Sequence, residues 1–221
     1  MTTTAFDSST PVLGNYFAPS VYIQSDLESG LLSSRHGDRL LAMPESLLLA
    51  IYSGLEYETG QASRLVLRHC GQKWGKEFFR RFASELGDAY QRPIADLDMG
   101  VFLQNLKQAW RAHGWGILTL DWTHQDRGIL IIRVTHSPFA ALLPKHHTRP
   151  MGFLEAGLFG TWFSQLTGRD LGCVQTSSQA LGSPSDQFVV TTVERIKNAE
   201  TWVDEGQTHE TVLEKLLNLE G

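Results

Sequence analysis

The side chains best suited to hold a metal or move a proton are eight histidines, two cysteines and one acid set among apolar residues. His69 and Cys70 are adjacent, within a run where Ala62, Leu65, Val66, His69, Cys70, Trp74, Phe78, Phe82 and Leu86 recur at three- and four-residue steps. That period puts them on one face of a long helix over 61–87. A neutral imidazole or a thiolate there could ligate the metal of a tetrapyrrole. The same pair also reads as a core histidine beside a thiol that packs as a small hydrophobe. Glu155 follows Met151 and Phe153 and precedes Leu158, Phe159, Trp162 and Phe163. A carboxyl in such company must be paired, protonated or placed at a helix N-terminus.

The other histidines carry less. His113 falls at a helix end, where it meets the last carbonyls and the negative pole of the helix dipole. His146–His147 lies between Lys145 and Arg149 in a loop; neighbouring imidazoles seldom serve one ion with good geometry, so the loop reads as solvated. Two cysteines, Cys70 and Cys173, cannot build a disulfide framework or a four-thiolate site, and nothing demands an oxidising compartment. Gly114–Trp115–Gly116 starts a GxG but follows a helix and opens a strand, the reverse of a dinucleotide fingerprint. No phosphate-cradling loop, zinc-protease motif or serine elbow is present, so enzymatic chemistry is not expected.

Charge is unevenly distributed. The 24 acids and 19 bases leave a net −5, with both ends acidic: 198–221 holds Glu200, Asp204, Glu205, Glu210, Glu214 and Glu220 against Lys215 alone. Arg64, Arg68, Lys73, Lys76, Arg80 and Arg81 form a basic stripe opposed by Glu77. Such a stripe is a solvated face, or a receiver for an anionic head group, a partner or the chain's own acidic end. With Arg149, Arg64 and Arg68 are the candidates for an anionic group. A mildly basic body between acidic ends argues against nucleic acid.

These residues need elements to position them. Residues 1–19 read as a flexible tail, and VYIQ (21–24) as a short strand. Pro44 opens a helix through Glu58. The helix over 61–87 is interrupted by Gly71 and Gly75, each costing about 1 kcal/mol relative to Ala, which points to close packing of a neighbour. A third helix spans 94–113, with Leu97, Val101, Phe102, Leu106, Ala109 and Trp110 inward. The period then changes to two over 117–122 and 128–135, an antiparallel hairpin. A nearly all-apolar helix over 151–167 follows, then strands 171–177 and 187–196, and a short exposed helix near 206–219. Helices followed by strand pairs indicate an α+β fold with helices packed on one face of an antiparallel sheet. The expected organisation is a tail (1–19), one α+β domain (20–197) and an acidic C-terminal tail (198–221). No apolar run reaches the ~18–20 residues of a membrane span, and the N-terminus lacks the pattern of a secretory leader. A cytoplasmic protein, peripheral to a membrane at most, is expected.

GLLSSRHGDRLLAMPESLLLAI, RHCGQKWGKEF, LKQAWRAHGWGILTLDW and GFLEAGLFGTWFSQLTGRDL together resemble the 4-vinyl-reductase-like (hydrocarbon-binding) domain over about 30–195. The resemblance implies the ligand-binding fold shared by TRAPP subunits and nitric-oxide sensor domains. It also implies an apolar channel, and, from its cyanobacterial members, a setting in photosystem II assembly at the thylakoid surface. In many members two cysteines flank a glycine before a Phe-Val-Val strand. Here Gly182 and Phe188–Val189–Val190 match while Ser178 and Asp186 replace the thiols, so zinc is not expected.

The resulting expectation is a binding or assembly factor for a hydrophobic small molecule, a chlorophyll-type tetrapyrrole or an isoprenoid or acyl chain. The ligand-binding candidates are His69, Cys70, Trp74, Phe78, Trp110, Glu155, Phe159, Trp162 and Phe163. The alternatives are a vinyl reductase of a chlorophyll precursor and a pure interaction module; photosystem assembly proteins and a second copy of the chain are the candidate protein partners. The pocket is expected between the long helix and the glycine-rich helix, where Gly71, Gly75, Gly152 and Gly160 remove side-chain volume.

Overall fold

The computed structural model describes residues 16–139 and 147–219. The chain divides into two compact units, one of residues up to 42 with 81–115, the other of 43–80 with 116 onward.

In the first unit, α1 (Pro19–Tyr22) leads into the antiparallel strands β1 (Ile23–Asp26), β2 (Leu31–Ser34) and β3 (Arg39–Leu40). Of VYIQ, expected as a strand over 21–24, Val21 and Tyr22 instead end α1 and only Ile23 and Gln24 are extended, while the strands continue to Leu40. Phe17 was expected in a flexible tail; it is 2% exposed and stacks on Phe82 at 5.6 Å. A large aromatic with a partner ring gains more from burial than a short segment loses by ordering. Residues 1–15 of that expected tail lie outside the described residues. Helix α4 (Met99–Ala112) starts where Asp98 accepts hydrogen bonds from the amides of Gly100 and Val101, a side-chain N-cap. Its inward stripe, Val101, Phe102, Leu106, Ala109 and Trp110, follows the expected period, but the helix begins five residues later than expected and Leu97 lies before it, after a separate turn at Ile94–Asp96.

The second unit holds α2 (Glu45–Thr59), most of α3 (Ser63–Tyr90), and a four-stranded antiparallel sheet. Its strands are β4 (Ile117–Asp121), β5 (Leu130–Thr135), β6 (Leu171–Ser177) and β7 (Asp186–Thr192), in the order β4-β5-β7-β6. Helix α5 (Phe153–Thr167) lies on one face, where Phe159 meets Phe188 at 5.2 Å. The fold is α+β, helix against antiparallel sheet, as expected.

The opposite face is covered as well. The expected strand 187–196 ends at Thr192, and α6 (Val193–Asp204) begins there, followed by α7 (His209–Asn218). Ile196, Ala199, Val203, Val212 and Leu216 form one core with Ile131, Val174 and Val189. The segment expected as an acidic tail is therefore amphipathic, its acids outward and its apolar stripe on the sheet. A sheet covered on both faces explains why Leu130, Ile131 and Ile132 are consecutive and all buried, without alternation. Among the described residues no helix is long and apolar enough to cross a membrane.

Candidate functional site

The strand β6 is an edge of the four-stranded sheet, and a cleft of about 310 Å³ opens along it within the second unit. Val174 and Gln175 of β6 form its floor, since adjacent strand residues point to opposite faces and so reach both neighbouring helices. Gly152, Phe153 and Ala156 at the start of α5 form one wall; Glu200, Val203 and Asp204 at the end of α6 form the other. Arg64, Leu65 and Arg68, in the first turns of α3, close the cleft.

Two of the three predicted anion-binding arginines are thus cleft residues, already engaged. Arg64 Nη1 lies 3.0 Å from Asp204 Oδ1, and Arg68 bridges Glu200. Arg149 approaches the same Asp204 oxygen at 3.9 Å. The Arg64 guanidinium also lies 5.5 Å from the ring centre of Phe153, a cation–π approach that keeps it at the cleft wall. Two members of the basic stripe, Arg64 and Arg68, thus meet the acidic end of the chain.

Behind the cleft lies a buried polar cluster. Gln175 Oε1 accepts from the Gly152 amide at 2.7 Å, and its Nε2 donates to Asp186 Oδ1 at 3.0 Å. The Gln179 amide donates to the same carboxyl oxygen. Glu155 is 1% exposed and accepts from the Ser137 hydroxyl. Burial first, then the nearby Asp186 carboxyl, pushes its pKa up to about 8, the Ser137 hydrogen bond opposing. Asp186 is raised too, chiefly by burial, against the hydrogen bonds it accepts. Burial, then Glu155, then Cys70, raises the Tyr52 phenol as well. Glu155 stands in the first turn of α5 and is hydrogen-bonded by Ser137, while burial favours its protonated form, so all three options open to it on sequence grounds contribute. Ser178 and Asp186 stand where the resemblance implies thiolates, and Asp186 accepts from N–H donors of Gln175 and Gln179, while the Cys173 thiol is fully buried and raised. These residues do not build a thiolate zinc site.

Several predicted ligand-binding residues stand elsewhere. His69 and Cys70 are exposed, because the buried stripe of α3 runs through Leu67, Gly71, Gly75 and Phe78. Counting side chains alone misplaces that face by about a residue, since its contact points are glycines. Trp74 is half-buried with its ring 5.8 Å from Phe139. Phe78, Phe159, Trp162 and Phe163 are core residues, at most 3% exposed, and Trp110 belongs to the first unit, where its indole donates to the Trp115 carbonyl. His146 lies outside the described residues; His147 pairs with Glu56 at 3.1 Å.

The expected channel between the glycine-bearing faces of α3 and α5 is filled. A Cβ on Gly71 would run into the Leu154 carbonyl, one on Gly75 would lie 2.6 Å from the Leu158 oxygen, and one on Gly157 would strike the Arg68 carbonyl. The glycines let two helix backbones touch. Phe153, Gln175 and Val203 are site residues that the sequence reading did not single out. The apolar spacing Ile196, Ala199, Val203 was a helix signal that could have found the last of them.

No protein-family model matches this chain, and no curated protein matches it in sequence. Among solved structures it is similar to the phenol-responsive sensory domain of the transcription activator PoxR, solved with phenol. That match has 13% identity, covers 94% of this chain and 96% of that one, and has a TM-score of 0.61. It shows the fold. Weaker likenesses are a trafficking protein particle complex subunit 3 from Naegleria fowleri covalently bound to palmitic acid (16%, 66% and 93% covered, TM-score 0.48) and a vinyl-4-reductase family protein from Methanocaldococcus jannaschii (14%, 70% and 84%, TM-score 0.44).

Proposed function

We propose that this protein binds a hydrophobic small molecule in the cleft at the β6 edge. The observation that carries the reading is the cleft itself: an apolar side of Leu65, Phe153, Ala156, Val174 and Val203 facing a polar rim of Gln61, Arg64, Arg68, Gln175, Glu200 and Asp204. Small-molecule sites combine apolar surface with fixed polar groups, and about 310 Å³ is the lower end of their range. The fold shared with a sensory domain solved with phenol supports the same reading.

Of the ligands implied by the sequence resemblance, an acyl or isoprenoid chain or a single ring suits this volume better than a whole tetrapyrrole macrocycle. A role in photosystem II assembly, at a thylakoid surface and with assembly proteins or a second copy as partners, rests on that resemblance alone.

Calorimetric titration of the full chain with n-decanol tests the cleft. Saturable binding is expected, weakened by Leu65→Glu, which removes apolar contact area at the rim of the cleft. Leu65 is 62% exposed, so the fold tolerates the change. Absence of saturable binding, or equal binding by Leu65→Glu, would overturn the reading.

A further inference from the structure

Resting on the binding reading above, we infer that Glu200 and Asp204 are resident competitors: they hold the cleft's arginines until the carboxylate of a hydrophobic acid displaces them. Arg64 and Arg68 are one turn apart on α3, and Glu200 and Asp204 one turn apart on α6, so the two pairs meet in register across the mouth of the cleft. Arg149 converges on the same Asp204 oxygen. Three guanidinium groups face two carboxylates, and the cluster keeps a net positive charge.

The strength of these bridges decides what they do. The side chains of Arg64 and Asp204 are 31% and 54% exposed, and those of Arg68 and Glu200 are 21% and 34%. The Arg64–Asp204 pair is the more open to water; such pairs contribute little net stability, so exchanging the Asp204 carboxylate for another costs little. The Glu200 oxygen facing Arg68 is buried, which makes Asp204 the first to yield. A ligand carboxylate that takes the place of Asp204 also brings an apolar body against Leu65, Phe153 and Val203, and Asp204 turns to water. A neutral ligand of the same shape cannot satisfy the released arginines. The cleft therefore selects a carboxylate-bearing amphiphile, and the α6 acids set the threshold at which it binds.

Decanoate and n-decanol, titrated in parallel against the full chain, separate head group from tail. The wild-type chain is expected to prefer decanoate. Asp204→Asn and, independently, Glu200→Gln should raise the decanoate-to-decanol affinity ratio by about three- to tenfold, because each removes a competitor. Arg64→Gln should lower the ratio. If both acid variants leave the ratio unchanged or reduce it, the bridges are clamps and the inference falls, while decanol binding would leave the cleft reading standing. If no variant binds either probe, both fall.

Discussion

Ser137 and Glu155, eighteen residues apart, meet inside the second unit as hydroxyl donor and carboxyl acceptor at 3.0 Å. The carboxyl is 1% exposed with its pKa raised to about 8, so burial favours its neutral form near pH 7. An unfolded chain ionises the same group near 4.5. Between these values the native state keeps a proton that the unfolded state releases, and stability falls as pH rises.

Glu155→Gln keeps the shape and removes the titration. The difference in unfolding free energy between wild type and Glu155→Gln should therefore shift in favour of the variant from pH 5 to pH 8.5. The size is a few kcal/mol, at most about 5. Comparing the two proteins removes the contribution of other titrating groups such as Asp186. Parallel stability curves across that range would contradict the assignment.

Two glycines in neighbouring helices should respond in opposite ways to alanine. At Gly71 the new methyl runs into the Leu154 carbonyl, and Gly71→Ala should destabilise by about 1–3 kcal/mol or more as α3 and α5 are forced apart. At Gly54, in α2, a Cβ meets open space, and Gly54→Ala should stabilise by up to about 1 kcal/mol through helix propensity. Urea titration reads both. Equal responses would mean that the backbone contact is not what Gly71 serves.

Leu216 is fully buried on the α6–α7 face of the sheet. Leu216→Ala should cost about 2–5 kcal/mol, and removing 199–219 should expose Val174 and Val189 and lower the melting temperature sharply. A truncated chain as stable as the whole would restore the expectation of a dispensable tail.

Phe17 makes the corresponding case at the other end. Its ring is buried against Phe82, so Phe17→Ala should cost about 3–5 kcal/mol, whereas changing exposed Leu27 to Ala should cost almost nothing. Thermal melts of the two variants that coincide would show that Phe17 does not pack as described.

Much of the fold was legible from period alone. The helix expected over 61–87 is α3, the hairpin is β4–β5, the apolar run is α5, and the strand from 171 is β6. In each, local spacing and packing demand the same conformation. Of the 23–40 strands only the start of β1 was legible, because β1, β2 and β3 are two to four residues long and at most half-buried at all but one position, too short for alternation to register. The end of β7 was missed for a related reason. Val189 and Val190 belong to the strand and Val193 and Ile196 to the helix, and β-branched residues running across the junction do not show where one period gives way to the other.

The site divides along the same line. The sequence by itself determined that Arg64 and Arg68 share a helix flank, that Glu155 had to be paired, protonated or capped, and that acids gather at the C-terminal end. Periodicity reports that a face is buried; it does not report against what. Only the tertiary structure brought Asp204 to Arg64 across 140 residues and placed Gln175 between Gly152 and Asp186. It alone filled the expected channel, because a glycine has no side chain to count and a close backbone approach leaves no pattern in a list of side chains. The cleft arises where two helices on opposite faces pass an unpaired sheet edge, and no single segment of the chain encodes that meeting.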